Sequence, residues 1–332
     1  MEMNGQVLKE TSQNGCNKAV AILLSTYNGR NYIERQLKSI ADQTYENIKI
    51  FIRDDGSNDG TETLIEKFIT QNHLENKVTM LNDFDGNLGF GRSFYKLANS
   101  VTGYDYYFFC DQDDYWFPDK VERAVRLLER ESDQEMICYM SNYYVGNDHL
   151  EVKGKAFNHN IALEQRVLRK QMFENTSMIG MVTAINETFR KIAFSLTDCD
   201  CMPCSHDKWV AVVLAGLHGK FIYDVAPTAI QRRHQSTTSA CNQTFIYKWI
   251  WRIKNVIKGN HLWQIRQMIL LCHKLYGNQI DQKSEKVFLD VFTKSGITGY
   301  IARAFFPYRL REKVLDEILL RILFVIGKYD RA

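Results

Sequence analysis

The first strongly apolar stretch, Lys18 to Ser25, runs Ala-Val-Ala-Ile-Leu-Leu without a polar break. A run that is apolar on both faces predicts a buried parallel strand. A turn at Thr26-Tyr27-Asn28-Gly29 follows, then a helix from about Asn31 to Gln43 with Ile33, Leu37 and Ile40 on one face. A second strand over Ile48 to Ile52 leads into Arg53-Asp54-Asp55-Gly56-Ser57, and Asp59-Gly60-Thr61 opens a helix through Phe68. The pattern continues with a strand at Val78 to Leu81, a helix at Gly91 to Asn99, and a strand from Tyr104 to Cys110 that stops at Asp111-Gln112-Asp113-Asp114. Strand, loop and helix repeated in this way predict an α/β fold with a mainly parallel central sheet. Its acidic and glycine-bearing loops fall past the carboxyl ends of strands, the edge at which open α/β sheets bind ligands.

Beyond residue 135 the chain has strand-like runs at Met136 to Tyr144 and Ser177 to Ile185 and a helix at Trp209 to Leu217. From Phe245 only helical periodicity remains, after a polar connector within residues 236–244. This predicts a flexible N-terminus (1–17), a catalytic α/β domain (18–240) and a C-terminal α-helical extension (241–332).

Charge sharpens this division. Residues 1–240 carry a net −6 and residues 241–332 a net +9, and three of the five tryptophans (Trp249, Trp251, Trp263) lie in the basic part. Phe245, Ile246, Trp249, Ile250, Ile253, Val256 and Ile257 follow helical spacing, with Lys248, Arg252 and Lys258 largely on the other side. An apolar, tryptophan-bearing face opposite basic residues describes a helix that lies on a membrane surface; packing on the catalytic domain is the plain alternative. Tyr300 to Lys328 repeats the basic-apolar character. No nucleic-acid-binding motif accompanies the charge, so no nucleic-acid partner is expected. Residues 1–18 lack the apolar core of a signal peptide, and no run reaches the roughly 18–20 apolar residues of a membrane span. With eight cysteines that do not read as a disulfide framework, the expected compartment is the reducing cytoplasm.

Taken singly, the polar motifs are ambiguous. Clustered Asp111, Asp113 and Asp114 call for a counter-charge, which a divalent cation held with a substrate phosphate supplies, but a solvated turn capping the next helix has the same composition. Asp54 and Asp55 suit a ribose hydroxyl or a pyrimidine N–H, or simply an Asp-Gly turn with a helix cap. Cys199, Cys201, Cys204 and His206 have zinc-binding residue types at an unusually tight spacing.

In order and at βαβ spacing, these motifs together resemble the nucleotide-sugar half of family 2 glycosyltransferases of GT-A fold. Asn87-Leu88-Gly89 matches that family's Asn-x-Gly loop, and Asp111-Gln-Asp-Asp-Tyr-Trp-Phe-Pro-Asp119-Lys120 resembles the form found in bacterial rhamnosyltransferases of surface polysaccharide synthesis. The resemblance covers about residues 18–240. It implies that Asp55 holds the pyrimidine, with Thr26 and Tyr27 lining the base pocket and Asn28, Asp54, Asp111 and Arg232 also on the donor. Asp111 and Asp113 become the D-x-D that holds Mg²⁺ or Mn²⁺, with His234 a further ligand. His206-Asp207 matches the family's [E/H]-Asp pair, which makes Asp207 the general base, whereas position alone would make it a helix cap. Asn175, Gly180, His206 and Trp209 are expected at the acceptor and sugar pocket. Arg232-Arg233-His234 falls on a Tyr-Arg-x-His-x-x-Asn motif from which the chain departs at Gln231 and Thr237.

The implied activity is inverting, metal-dependent transfer of a sugar, L-rhamnose from dTDP-β-L-rhamnose as the first choice, to a lipid-linked saccharide at the cytoplasmic membrane surface. A UDP-linked galactose, glucose or N-acetylglucosamine is the alternative donor, a catalytically silent nucleotide-sugar-binding scaffold the alternative class. Homo-oligomerisation is left open.

Overall fold

A computed structural model describes residues 18–81, 83, 85–157, 178–195, 204–234, 260–277, 286, 290–307 and 314–326. Asn175, Cys199, Cys201, the 236–244 connector and the Phe245–Lys258 pattern lie outside the described residues.

Val20–Thr26 (β1), Ile48–Asp54 (β2), Val78–Met80 (β3) and Tyr106–Asp111 (β4) form a parallel unit in the order β3-β2-β1-β4. Helices Ile33–Ala41 (α1), Thr61–Gln71 (α2) and Phe90–Ser100 (α3) supply the crossovers. The side chains of Val20 through Leu24 are wholly buried, as a strand covered on both faces requires.

After β4 come a two-residue strand, Tyr115–Trp116 (β5), a helix, Lys120–Leu128 (α4), the long strand Ile137–Gly146 (β6) and Val152–Lys155 (β7). Thr183–Asn186 (β8), preceded by a 3₁₀ turn at Gly180–Val182, leads to helices Glu187–Ala193 (α5) and His206–Gly216 (α6) and to the strand Lys220–Arg232 (β9). The sheet continues β4-β8-β6-β9-β5, with β7 on the flank of β6. The parallel character expected of most of the sheet is unbroken as far as β4. Beyond it, β8 is antiparallel to both β4 and β6, β6 and β9 are parallel, and β5 is antiparallel to β9.

The β5–β9 pairing decides where the chemistry sits. Tyr115 lies opposite Ile230 and Trp116 opposite Ala229. The residues just before β5 are therefore carried up against those at the end of β9, and the sheet curls to bring Asp113 and Asp114 to Arg232 and His234.

Three further helices follow among the described residues, Asn260–Tyr276 (α7), Gly296–Ala304 (α8) and Val314–Val325 (α9). Ile265, Met268, Ile269 and Cys272 of α7 are buried in the same core as the sheet, and the Tyr276 hydroxyl donates to the Ile192 carbonyl of α5 at 2.8 Å. No helix among the described residues is long and apolar enough to cross a membrane.

Candidate active site

The carboxyl ends of β1, β2 and β4 are level, with Thr26 beside Asp54 and Ser25 beside Asp111. Side-chain bonds zip their exit loops together. The backbone N–H of Asn28 donates to Ser57 Oγ at 2.8 Å, that of Asn58 to Asn28 Oδ1 at 2.9 Å, and that of Gly29 to Thr61 Oγ1 at 2.9 Å. Asp54 accepts from the Gly56 and Ser57 N–H groups, at 3.1 and 2.6 Å, and so shapes its own turn.

Two residues without a role in the sequence reading organise these loops. Gln112 lies between Asp111 and Asp113. Its Oε1 accepts from Thr26 Oγ1 at 2.6 Å and Tyr27 N–H at 2.8 Å, while its Nε2 donates to the Tyr27 carbonyl at 3.0 Å. The β1 and β4 exits are thereby clamped together, and the Tyr27 side chain remains exposed.

Arg53 is fully buried at the end of β2. It pairs with Asp55, donates from Nε to Asp83 Oδ2 at 2.7 Å and from Nη2 to the Gly86 carbonyl at 3.0 Å. Asp55 is 2% exposed and its two oxygens accept from the Leu88 and Gly89 N–H groups, each at 2.8 Å. In this arrangement Asp55 fastens the Asn-x-Gly loop to the strand end. A charge directly after the apolar run Ile50-Phe51-Ile52 was the available signal for Arg53.

The acidic cluster lies alongside. Burial first, then the charges of Asp113 and Asp207, push the Asp111 carboxyl up to about 8. Asp114 is 2% exposed and is also held well above the usual carboxylate range, by burial and then by Asp113 and Asp111, although its Oδ1 accepts from the Arg232 N–H at 2.9 Å. Carboxylates so placed favour a neighbouring cation. Asp113 Oδ2 lies 2.7 Å from His234 Nε2. No group of three or more His, Cys, Asp or Glu side chains converges as a metal site among the described residues, which leaves Asp113 and His234 as a pair of adjacent donors.

Tyr32, before α1, supports that pair. Its ring stacks on the His234 imidazole at a centroid distance of 4.4 Å, and the Arg232 guanidinium lies 5.0 Å from the same ring centroid. Arg232 donates from Nε to the Asp113 carbonyl at 2.7 Å and from Nη1 to the Asp148 carbonyl at 2.6 Å, leaving Nη2 without a hydrogen-bond partner. Burial first, and the Arg35 charge next, oppose its positive charge and lower its pKa.

Asp207 stands in the first turn of α6, where its Oδ1 accepts from the Lys208 N–H at 2.7 Å and the helix presents its positive end. Its charge is among those felt by Asp111. Gly91 sets the approach of α6, because a Cβ there would lie 2.7 Å from the Cys204 carbonyl oxygen and 3.1 Å from Ser205 Cα.

The expected acceptor pocket requires correction at three positions. His206 is wholly buried, with Phe94 and Phe109 at centroid distances of 4.0 and 4.7 Å, and neither ring nitrogen has a hydrogen-bond partner. Trp209 is also wholly buried, its indole N–H donating to the Ala193 carbonyl at 2.7 Å. Gly180 is buried behind His206, and a Cβ there would meet Nε2 at 2.3 Å. All three belong to the packing around α6, which is buried on nearly every side from Trp209 to Leu214. The caged His206 ring is likewise unavailable to a zinc ion, and burial pushes the Cys204 thiol up to about 12.

This layout agrees with what the chain resembles. The glycosyl transferase family 2 model matches residues 21–189. The dTDP-rhamnosyl transferase RfbG of Shigella flexneri is 27% identical over 320 residues, 92% of this chain and 99% of that protein. The UDP-Glc:alpha-D-GlcNAc-diphosphoundecaprenol beta-1,3-glucosyltransferase WfaP of Escherichia coli is 32% identical over 130 residues, 39% of this chain and 47% of that protein. Among solved structures, S. aureus TarS 1-349 in complex with UDP-GlcNAc superposes with a TM-score of 0.56 at 15% identity, covering 94% of this chain and 89% of that one, a likeness of fold. Matched by that family model over half of its length, from β1 to the start of α5, the chain belongs to glycosyltransferase family 2.

Proposed function

We propose that this glycosyltransferase moves a sugar from a nucleoside-diphosphate donor to a lipid-linked saccharide, with inversion at the anomeric carbon, in surface polysaccharide synthesis at the cytoplasmic face of the membrane. One observation carries the reading: Asp111, Asp113, His234 and Arg232 gather at one sheet edge with the carboxylate of Asp207 near enough to raise the Asp111 pKa.

Asp207 accepts the acceptor hydroxyl proton as that oxygen bonds to the anomeric carbon and the bond to the diphosphate oxygen breaks. Asp113 and His234 are the residues to hold Mg²⁺ or Mn²⁺. A divalent ion of this type commonly takes one or two carboxylates plus substrate phosphates, so two protein donors suffice. When bound, the ion neutralises the charge that develops on the departing diphosphate. The unpartnered Nη2 of Arg232, on a guanidinium whose charge is opposed by burial, suits a phosphate oxygen. Thr26, Tyr27, Asn28, Asp54 and Asp55 form the nucleotide side.

The donor is dTDP-β-L-rhamnose and the product an α-rhamnoside, a choice supported by the name of the RfbG relative over nearly its whole length. A UDP-sugar is the second reading, favoured by the shorter match to WfaP. The test is release of nucleoside diphosphate from dTDP-rhamnose and from UDP-linked galactose, glucose and N-acetylglucosamine, with a lipid extract as acceptor. Release of dTDP alone, abolished by EDTA and reduced about 10²–10⁴-fold in Asp207→Asn, is the expected result. UDP release refutes the rhamnosyl donor, and full turnover in Asp207→Asn refutes the base. Donor binding without turnover favours the silent scaffold.

A further inference from the structure

Helices α8 and α9 are built with their apolar residues outward. Eight of the twelve large hydrophobic side chains left exposed among the described residues lie on them or directly after them. On α8, Ile297, Ile301 and Phe305 follow every fourth position, with Ile297 76% and Phe305 81% exposed; on α9, Val314, Ile318 and Ile322 do the same. The charged residue of α8 points the other way. Arg303 is 4% exposed and donates inward, from Nε to the Val325 carbonyl at 3.2 Å and from Nη1 to the Val291 carbonyl at 3.4 Å. The inner faces are packed, Phe324 meeting Phe292 and Phe306 at centroid distances of 5.5 and 5.4 Å. A helix that turns its arginine in and its isoleucines out has the polarity of one bordered by an apolar medium.

We infer that the outward stripes of α8 and α9 are a docking surface for an anionic lipid bilayer. Charge selects this occupant over a second copy of the chain. Residues 241–332 carry a net +9, and Arg309, Arg311 and Lys313, against Glu312 alone, fall in the sequence that joins the two helices. Two copies would bring like charges together, whereas anionic headgroups attract them. The inference deepens the proposed function, on which it rests for its purpose: a lipid-linked acceptor is reached from the bilayer surface.

The experiment is flotation of the full chain with vesicles of phosphatidylcholine, with and without phosphatidylglycerol. It compares the wild type with a variant combining Ile301→Ser, Phe305→Ser, Ile318→Ser and Ile322→Ser, and with one combining Ile301→Leu and Ile318→Leu. The wild type and the leucine variant are expected to float with the anionic vesicles, and the serine variant to bind at least about tenfold less, while all three release nucleoside diphosphate equally from a water-soluble donor. That equal release shows the serine variant to be folded. Failure of the wild type to float, or equal flotation of the serine variant, overturns the assignment. A wild-type dimer that neither floats nor survives the serine changes hands the surface to a second copy. Flotation lost with the serine changes in a protein that releases no nucleotide from any donor, with the circular dichroism spectrum and urea midpoint of the wild type retained, supports the surface and refutes the catalytic reading alone.

Discussion

Burial of His206 makes the stability of the fold depend on pH in a direction and range that can be worked out. The ring is wholly buried, both nitrogens are unpartnered, and burial pulls its pKa from the ordinary 6.5 down to about 4, only partly opposed by the charge of Asp207. Between these values the unfolded chain binds a proton that the folded chain does not. Stability is therefore full above about pH 6.5 and falls as the pH drops toward 4. From pH 7.5 to pH 5 the linkage relation gives a loss of about 2 kcal/mol from this one group. Urea unfolding of the wild type and of His206→Leu at the two pH values isolates it, because contributions common to both proteins cancel in the double difference. Leucine conserves the volume and removes the titration, so its cost at pH 7.5 should stay below about 1.5 kcal/mol, and its loss on acidification should be about 2 kcal/mol smaller than that of the wild type. Equal losses in the two proteins would refute the argument, since His206 would then be protonated in the folded state or accessible to water.

Three other perturbations probe the scaffold around the site. Arg53→Met leaves Asp55 and Asp83 without their shared guanidinium and should cost about 3–5 kcal/mol in urea unfolding; a cost below about 1 kcal/mol would show that Arg53 does not hold the loop. Gly91→Ala drives a methyl against the Cys204 carbonyl, so steady-state kinetics should show kcat falling about 10–100-fold with the donor KM within about twofold; an unchanged kcat would mean that the base helix does not shift. Gln112→Leu removes the clamp on Thr26 and Tyr27 and should weaken nucleotide binding by calorimetry about tenfold, whereas unaltered affinity would reduce the clamp to a surface contact.

The first half of the fold was legible because β1 and β4 are buried on both faces and so read as unbroken apolar runs, while β2 alternates, with Ile48, Ile50 and Ile52 buried and Lys49 exposed. β9 was not, although it is the longest strand. Pro227 interrupts its pattern, and its register against β6 shifts near Asn142, so neither alternation nor a continuous run survives. β5 is two residues long, and no periodicity can announce it. At the site, motif spacing located the acidic loop and Asp207 but said nothing about where neighbouring side chains turn. His206 and Trp209 were expected at a sugar pocket, while the apolar run from Trp209 to Leu214 already describes a helix buried on nearly every side. Arg53 reaches Asp83 across 30 positions, and Gln112 and Tyr32 act through partners farther off still, a relation that a linear reading does not contain.

The two-residue strand β5 also sets how divisible the enzyme is. Asp113 and His234 are separated by 121 positions and meet because Tyr115 and Trp116 pair with β9. On the proposed assignment the first half of the chain is therefore not a self-contained cassette for the donor, because Asp113 meets His234 only where β9 ends. A chimera joined anywhere between β5 and β9 takes its D-x-D from one parent and its histidine from the other, so a hybrid that keeps this pair matched has to carry residues 229–234 along with the amino-terminal motifs.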